Sequence, residues 1–453
     1  MTDAPADIGN SLLLTDLYQL NMMQAYLDHG MTGAAVFEFF VRKLPETRGF
    51  LMAAGLEQAI AFLETARFGP MERDWLASSG RFRPEMLEAL ARWRFSGDVD
   101  AMPEGTIFFP DEPILRVIAP LPEAQLVETR LINILHFQTV VASKAARFVL
   151  AAGRRTLTDF GLRRAHGAEA GLLAARASYI AGFDGTATTL AGPMFGVPVS
   201  GTMAHSFIQA HDTEEEAFQR FAASRPDRLT LLIDTYDTAA AARKVVALAS
   251  RLAAQGIAIG AVRIDSGDLT ALSKEVRAIL DAGGLKTVQI FASGGIDETQ
   301  VHEMLAAGAP VDGFGIGTSL TTSSDAPALD CAYKLQEYAG VARRKRSTGK
   351  ATWPGRKQVW REFTAEGVMA RDMLSLETDC APGTALLVPV MRNGKRIGPA
   401  PRIDAIRERA RASLAALPAA LRRLTGDFHY TVEISAPLRN LADECDRRVQ
   451  PRV

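Results

Sequence analysis

Gly260-Ala261-Val262-Arg263-Ile264-Asp265-Ser266-Gly267-Asp268 is an apolar run that ends abruptly in one cation, two carboxylates and a hydroxyl. A run of this kind suits a strand buried on both faces of a parallel sheet. The charged cluster then falls where the strand leaves the core. Four such side chains are costly there unless they pair, bind a metal or meet a ligand.

The same grammar recurs from about residue 155 onward. Apolar segments end in polar or glycine-rich turns near Asp159, Asp184, Gly201, Asp234, Asp265, Ser293 and Gly315. Most gaps are 22 to 33 residues, about one βα unit each. The gap from Asp184 to Gly201 is shorter and leaves little room for a helix. Seven strand ends with one defective unit predict an irregular α/β barrel, with an open doubly wound sheet as the alternative. In such barrels the chemistry sits at the C-terminal strand ends, where all seven clusters would lie.

Upstream, residues 11–140 mix helical patterns with short strands. Met22, Met23, Tyr26 and Leu27 share a helical face ended by Gly30. Val36-Phe37-Glu38-Phe39-Phe40-Val41 has strand composition. The stretch from Glu123 to Leu150 lacks glycine and proline and reads as helix, with a break expected near His136. Tyr18, in Thr15-Asp16-Leu17-Tyr18-Gln19, reads locally as helix start and core. Downstream of about 330 the rhythm stops. Residues 343–361 hold eight Lys and Arg and no acid, which suggests a basic hairpin or loop. An Arg/Ala/Leu-rich helix near 402–424 and a strand-like His429-Tyr430-Thr431-Val432 are expected to pack back on the first domain. The resulting division is 11–140, 141–330 and 331–453.

Bulk numbers exclude several classes. The chain has 453 residues, 47% hydrophobic and 23% charged, with a formal net charge of −1. Nothing global points to nucleic acid or an anionic membrane. Three cysteines, Cys331, Cys380 and Cys445, argue against a disulfide framework or structural zinc. Asp3 and Asp7 without a basic segment do not resemble a signal peptide. No apolar stretch reaches the ~18 residues of a membrane span. A cytoplasmic location is the expectation.

Five clusters carry candidate chemistry. Gly313-Phe314-Gly315-Ile316-Gly317-Thr318-Ser319 and Ser293-Gly294-Gly295 suit phosphate, because glycines admit backbone N–H groups and hydroxyls add donors. A tight strand-to-loop turn is the plain alternative. Asp234 and Asp237, with Asp265 and Asp268, place four carboxylates at adjacent strand ends, suited to Mg²⁺ or to ribose hydroxyls. One or two of them can instead cap helices. Asp159-Phe160-Gly161-Leu162-Arg163-Arg164 offers a ring for stacking and guanidinium groups for carboxylate or phosphate. Gly201-Thr202-Met203-Ala204-His205-Ser206 sets a histidine past a strand end, suited to base or nucleophile chemistry. His211, six residues on, stays open as an alternative.

Taken together and in this order, these strings resemble the nicotinate phosphoribosyltransferases, over roughly residues 11–440. The resemblance implies a type II phosphoribosyltransferase fold. That is an N-terminal α/β sandwich domain, completed by C-terminal segments, with an irregular α/β barrel. It implies that nicotinate and phosphoribosyl pyrophosphate give nicotinate mononucleotide and pyrophosphate, coupled to ATP and assisted by Mg²⁺, as the first step of NAD salvage. His205 matches the histidine phosphorylated by ATP, with Asp234 and Asp265 around ribose, pyrophosphate and Mg²⁺. Phe160, Arg163, Thr202 and Arg263 match the base site. Tyr18 matches a residue supplied by a neighbouring subunit, which implies a homodimer. Ser293, Gly294, Gly315, Gly317 and Thr318 match phosphate-binding positions. Direct metal ligands are not assigned.

The nicotinamide-specific relatives carry an aspartate where this chain has Ala187, in Phe183-Asp184-Gly185-Thr186-Ala187-Thr188. A carboxylate there would repel nicotinate, so the resemblance favours nicotinate over nicotinamide. Quinolinate phosphoribosyltransferases share the two-domain pattern but lack the histidine motif. A barrel aldolase would want a strand-end lysine, and none of the seven clusters offers one. A non-catalytic metabolite-binding relative is the remaining alternative. Asp234 is expected to orient His205, and the basic stretch 343–361 to attract the phosphorylated substrates.

Overall fold

A computed structural model describes residues 9, 11–227 and 229–449. The chain forms two compact units, residues 1–143 with 328–453, and residues 144–327.

The first unit is built on a seven-stranded antiparallel sheet. Its order is Val341–Ala342, Cys331–Tyr338, Ala34–Val41, Pro113–Pro120, Asp98–Ala101, Val388–Arg392 and Lys395–Arg396. C-terminal strands therefore complete the N-terminal sheet. Ala34–Val41 sits centrally and is buried along almost its whole length, which its aromatic and β-branched residues permit. Phe37 stacks on Tyr333 of the neighbouring strand at 4.9 Å.

A second sheet of four strands contains Lys357–Phe363, Met369–Leu376, Thr384–Ala385 and Val432–Ile434. Charged groups join the two sheets. Lys357 Nζ lies 2.7 Å from Glu38. Arg116 donates to the Lys357 carbonyl at 2.8 Å and to Asp100 at 2.6 Å. Arg361 pairs with Asp372, which also accepts from the Tyr430 hydroxyl at 3.0 Å. Such pairs persist in a low-dielectric interior because each charge has a partner and further hydrogen bonds.

This arrangement corrects the end of the expected basic hairpin or loop at 343–361, while residues 343–356 do form a loop. Lys357 and Arg361 lie on a strand and are buried. Arg344 and Arg346 pair with Asp446, and Arg356 pairs with Glu337. Internal carboxylates thus pair with five of the eight basic residues, while Arg343, Lys345 and Lys350 are exposed on the loop that precedes the strand. The expected helix break falls at Val127, between Leu121–Leu126 and Glu128–Ala152, rather than at His136. His136 continues the helix, and its Nε2 accepts from the Leu329 N–H. The tail helix is Ile403–Ala415, followed by a 3₁₀ turn over Ala419–Arg422. Tyr18 lies on the helix Leu17–Asp28 but is 48% exposed, so it is not core. All three cysteines are free.

In the second unit six parallel strands form a curled half-barrel sheet. The order is Gly185–Thr186, Thr156–Asp159, Gly313–Ile316, Gln289–Ser293, Ile259–Ile264 and Leu229–Leu232. The longer helices that accompany them include Ala168–Ala181, Glu214–Ser224, Thr238–Ala254, Leu269–Ala282 and Glu298–Ala306. Two sequence expectations change here. Gly201 is not at the end of a sheet strand, because that segment makes only a single bridge, Val199 to Thr186. Asp184 precedes its strand, where its carboxylate accepts from the Leu157 N–H at 2.9 Å.

Segment 199–208, irregular up to a short helix that begins at His205, contacts elements at both edges of the sheet. At one end it touches Thr186 on the first edge strand. At the other, Met203 and Ile208 join the core that holds Leu229, Leu231 and Leu232 of the last. One bridge and apolar packing hold the segment there, with no ladder of backbone bonds.

Candidate active site

The barrel strands deliver their polar residues at the C-terminal ends, as a parallel sheet requires. Asp159 ends one strand and is fully buried. Its Oδ1 accepts from the Gly161 N–H at 2.8 Å, and its Oδ2 accepts from the Thr186 hydroxyl at 2.7 Å. Burial raises its carboxyl above the usual range, and these two bonds oppose the shift. The turn they hold presents Phe160, whose N–H bonds to the Ile316 carbonyl at 2.7 Å.

Phe160 lies flat against the next strand because Gly315 has no side chain. A Cβ there would come within 2.4 Å of the ring. Gly315→Ala is therefore expected to displace Phe160. The KM for the ring-bearing substrate should rise about tenfold or more, at the scale of a lost stacking contact. Unaltered KM in steady-state kinetics of the folded variant would contradict this role for the ring.

Phe160, Leu162, Arg163, Ala187, Gly201, Thr202, Met203, Ala204 and Arg263 line a cavity of about 280 Å³. Arg263 reaches over the Phe160 ring at 5.8 Å from its centroid. Its Nη1 donates to the Thr202 hydroxyl at 2.7 Å and to the Met203 carbonyl at 3.3 Å. Its buried Nε has no hydrogen-bond partner. Burial lowers the pKa of Arg263, while Asp265 and Asp234 oppose that shift and Arg163 adds to it. The guanidinium stays charged, since arginine holds its proton even when buried. Two cations and an aromatic face thus surround a small cavity, an arrangement suited to a flat anion.

The four carboxylates separate into two pairs. Asp237 and Asp268 cap the helices Thr238–Ala254 and Leu269–Ala282, accepting from Ala240 and Ala271 N–H groups at 2.6 and 3.0 Å. Asp234 and Asp265 face the site. Asp234 Oδ2 accepts from the Asp265 N–H at 2.8 Å and the Ser266 hydroxyl at 2.7 Å. Its Oδ1 is buried with no hydrogen-bond partner. Among the described residues no group of three or more His, Cys, Asp or Glu is arranged to hold a metal by itself. Any Mg²⁺ here would depend on oxygens from substrate and water as well.

His205 opens the short helix His205–Gln209. Its Nδ1 lies 3.1 Å from the Thr235 hydroxyl, and its Nε2 lies 3.8 Å from Asp265 Oδ2. The expected orienting partner was Asp234, but its Oδ2 is taken by Asp265 and Ser266 and its Oδ1 has no hydrogen-bond partner. Thr235 takes the place instead. His211 bonds through Nδ1 to the Phe207 carbonyl within its own turn, which leaves His205 as the histidine of the site.

The glycine-rich ends differ in how they serve. Gly294 has φ +100°, and a Cβ would sit 1.9 Å from the Asp265 carbonyl, so only glycine fits. Ser293, expected to bind phosphate, is buried and gives its hydroxyl to Asp265 Oδ1. Gly317 and exposed Thr318 begin the short helical turn Thr318–Thr321, where first-turn N–H groups lack helical partners. Thr235 and Ser266 were missed as site residues. The only trace of them in sequence is a small hydroxyl beside each acidic residue.

Comparisons with known proteins agree with this geometry. Residues 13–136 match the nicotinate phosphoribosyltransferase N-terminal domain, 155–353 the nicotinate phosphoribosyltransferase family, and 382–442 the C-terminal domain. Nicotinate phosphoribosyltransferase pncB2 of Mycobacterium tuberculosis (strain ATCC 25618 / H37Rv) is 51% identical over 426 residues, covering 93% of this chain and 91% of the relative. The Bacillus subtilis (strain 168) nicotinate phosphoribosyltransferase is 39% identical over 356 residues, covering 77% and 72%. The crystal structure of human nicotinic acid phosphoribosyltransferase superposes with a TM-score of 0.86 at 30% identity, covering 95% of this chain and 99% of that one. With all three domains matched and a 51% identical relative nearly end to end, the chain belongs to the nicotinate phosphoribosyltransferase family.

Proposed function

We propose that the enzyme joins nicotinate to the ribose of phosphoribosyl pyrophosphate, releasing nicotinate mononucleotide and pyrophosphate, with ATP hydrolysis coupled through a phosphohistidine at His205. The observation that carries the reading is the cavity of about 280 Å³ in which Phe160, Arg163 and Arg263 face Ala187. A pyridine ring stacks on Phe160, while its carboxylate meets guanidinium groups and no opposing acid. Thr202 supports this site indirectly by holding Arg263.

Pyrophosphate departure builds positive charge at ribose C1 and negative charge on the leaving group. Asp234 Oδ1 and Asp265 accept ribose hydroxyls, and stacking on Phe160 aligns the pyridine nitrogen with C1. Mg²⁺ fits the oxygen donors of Asp234 and Asp265, and when bound would neutralise charge on the leaving pyrophosphate. Gly317 and Thr318 are assigned to the phosphates through the first N–H groups of the short turn, whereas the space beside Gly294 and Gly315 is taken by the Asp265 carbonyl and the Phe160 ring. A homodimer belongs to the same reading, since Tyr18 is exposed in the way a residue offered to a partner subunit would be. A cytoplasmic location also belongs to it, because both phosphorylated co-substrates are cytoplasmic metabolites.

The test is a paired turnover assay with phosphoribosyl pyrophosphate and Mg²⁺, using nicotinate or nicotinamide, each with and without ATP. Nicotinate-specific mononucleotide that rises with ATP, alongside ADP release, is expected. Product from nicotinamide would overturn the base assignment. No product from either base would favour a non-catalytic metabolite-binding role.

A further inference from the structure

We infer that Asp159 and Thr186 are positioning residues that hold three walls of the base cavity together, and that the Thr186 hydroxyl is the link on which nicotinate affinity depends. The inference rests on the reading of that cavity as the nicotinate site and names what fixes its shape.

Asp159 and Thr186 are register partners on two neighbouring parallel strands, Thr156–Asp159 and Gly185–Thr186, and both are fully buried. Neither lines the cavity itself. Bonds run from the pair to each wall. Asp159 Oδ1 accepts from the Gly161 N–H at 2.8 Å, which fixes the turn that carries Phe160, Leu162 and Arg163. The Asp159 carbonyl accepts from the Ala187 N–H at 2.7 Å. Thr186 holds the third wall. Its carbonyl accepts from the Ser200 N–H at 2.9 Å, and its own N–H donates to the Pro198 carbonyl at 3.0 Å. That segment runs on into Gly201 and Thr202 of the lining, and Thr202 accepts from Arg263 at 2.7 Å.

The side chains of the pair meet in one contact, from the Thr186 hydroxyl to Asp159 Oδ2 at 2.7 Å. Thr186 Oγ1 also accepts from the Thr188 N–H at 3.0 Å, so its single proton goes to Asp159. Both carboxylate oxygens then accept, and neither carries a proton. Burial raises the Asp159 carboxyl, and the bonds from Thr186 and Gly161 oppose that shift. Without the hydroxyl, a buried charged acceptor and a buried N–H both lose a partner, which costs more than the bond itself contributes. Relief of that cost moves the walls, and with them the stacking ring and the guanidinium groups that align the base. The phosphate turn has separate supports. Leu320 and Thr321 N–H groups both donate to the Gly317 carbonyl at 3.2 Å.

The experiment is steady-state kinetics on the full-length enzyme. Nicotinate is varied at saturating phosphoribosyl pyrophosphate, and then the reverse, with far-UV circular dichroism to establish folding. Thr186→Val keeps the side-chain shape and removes the hydroxyl. Its KM for nicotinate is expected to rise about tenfold or more, with KM for phosphoribosyl pyrophosphate within about twofold of wild type. Thr186→Ser is expected to restore both to within about twofold. Asp159→Asn keeps one acceptor for Gly161 but turns a donor toward Thr186, so its KM for nicotinate should rise about threefold or more.

An unchanged KM for nicotinate in folded Thr186→Val overturns the inference. If that variant does not fold, the same result in Asp159→Asn overturns it. A parallel rise in both KM values overturns it too, because general loosening would then be the cause. So does a Thr186→Ser enzyme as impaired as Thr186→Val. Wild-type enzyme that does not turn over nicotinate overturns the base-site reading and this inference with it. The wild-type measurement comes first and separates that failure from one at the Asp159–Thr186 pair.

Discussion

Replacing His205 with alanine is expected to cut ATP hydrolysis by at least about a thousandfold, while slow mononucleotide formation without ATP persists. Removing a covalent nucleophile eliminates the two-step route, and a loss of ~4 kcal/mol or more in barrier lowering corresponds to that factor. The rest of the site has its own supports. Arg263 is held by Thr202 and Met203, and Asp234 by Ser266 and the Asp265 N–H, none of which passes through the imidazole. The ring is only partly buried, so its removal leaves no sealed core cavity. Parallel measurement of ADP and mononucleotide checks the outcome. Undiminished ATP hydrolysis in a folded variant rejects His205 as the phosphate acceptor.

Ala187→Asp is expected to lower kcat/KM for nicotinate by about a hundred- to a thousandfold and to raise the preference for nicotinamide. Ala187 is anchored through its backbone, with its N–H on the Asp159 carbonyl at 2.7 Å, so the exchange leaves the turn in place. Its side chain faces the cavity shared by Arg163 and Arg263. An aspartate there pairs with those guanidinium groups and repels the substrate carboxylate. Like charges brought together in such a site cost several kcal/mol, of which ~3–4 kcal/mol matches the expected factor. A neutral carboxamide escapes the repulsion and can donate to the new carboxylate. Competition between the two bases in one reaction gives the ratio directly. An unchanged ratio would mean that position 187 does not read the base.

Much of the barrel was legible because each βα unit is local. The Ile259–Ile264 strand, the caps Asp237 and Asp268, and the glycine at 294 each follow from a few consecutive residues. Where the reading went astray, distant residues were responsible. Gly201 looked like a strand end, but its segment is held by apolar packing with only one bridge to the sheet. Lys357 and Arg361 looked like a solvated basic loop, but both are buried on one strand, Lys357 paired with Glu38 of the other sheet and Arg361 with Asp372 of its own. Tyr18 read as core by pattern and is exposed.

The candidate site divides along the same line. Residue type, spacing and order pointed to Phe160, Arg163, His205, Asp234, Arg263 and Asp265, because apolar runs that end in polar residues mark strand ends in any parallel sheet. Partner choice did not follow from order. His205 stands thirty residues before Thr235, and Ser293 stands twenty-eight after Asp265. Which hydroxyl meets which ring or carboxylate depends on how neighbouring strands are staggered. That stagger is set by core packing and the shared ladder, not by any stretch of the chain read alone.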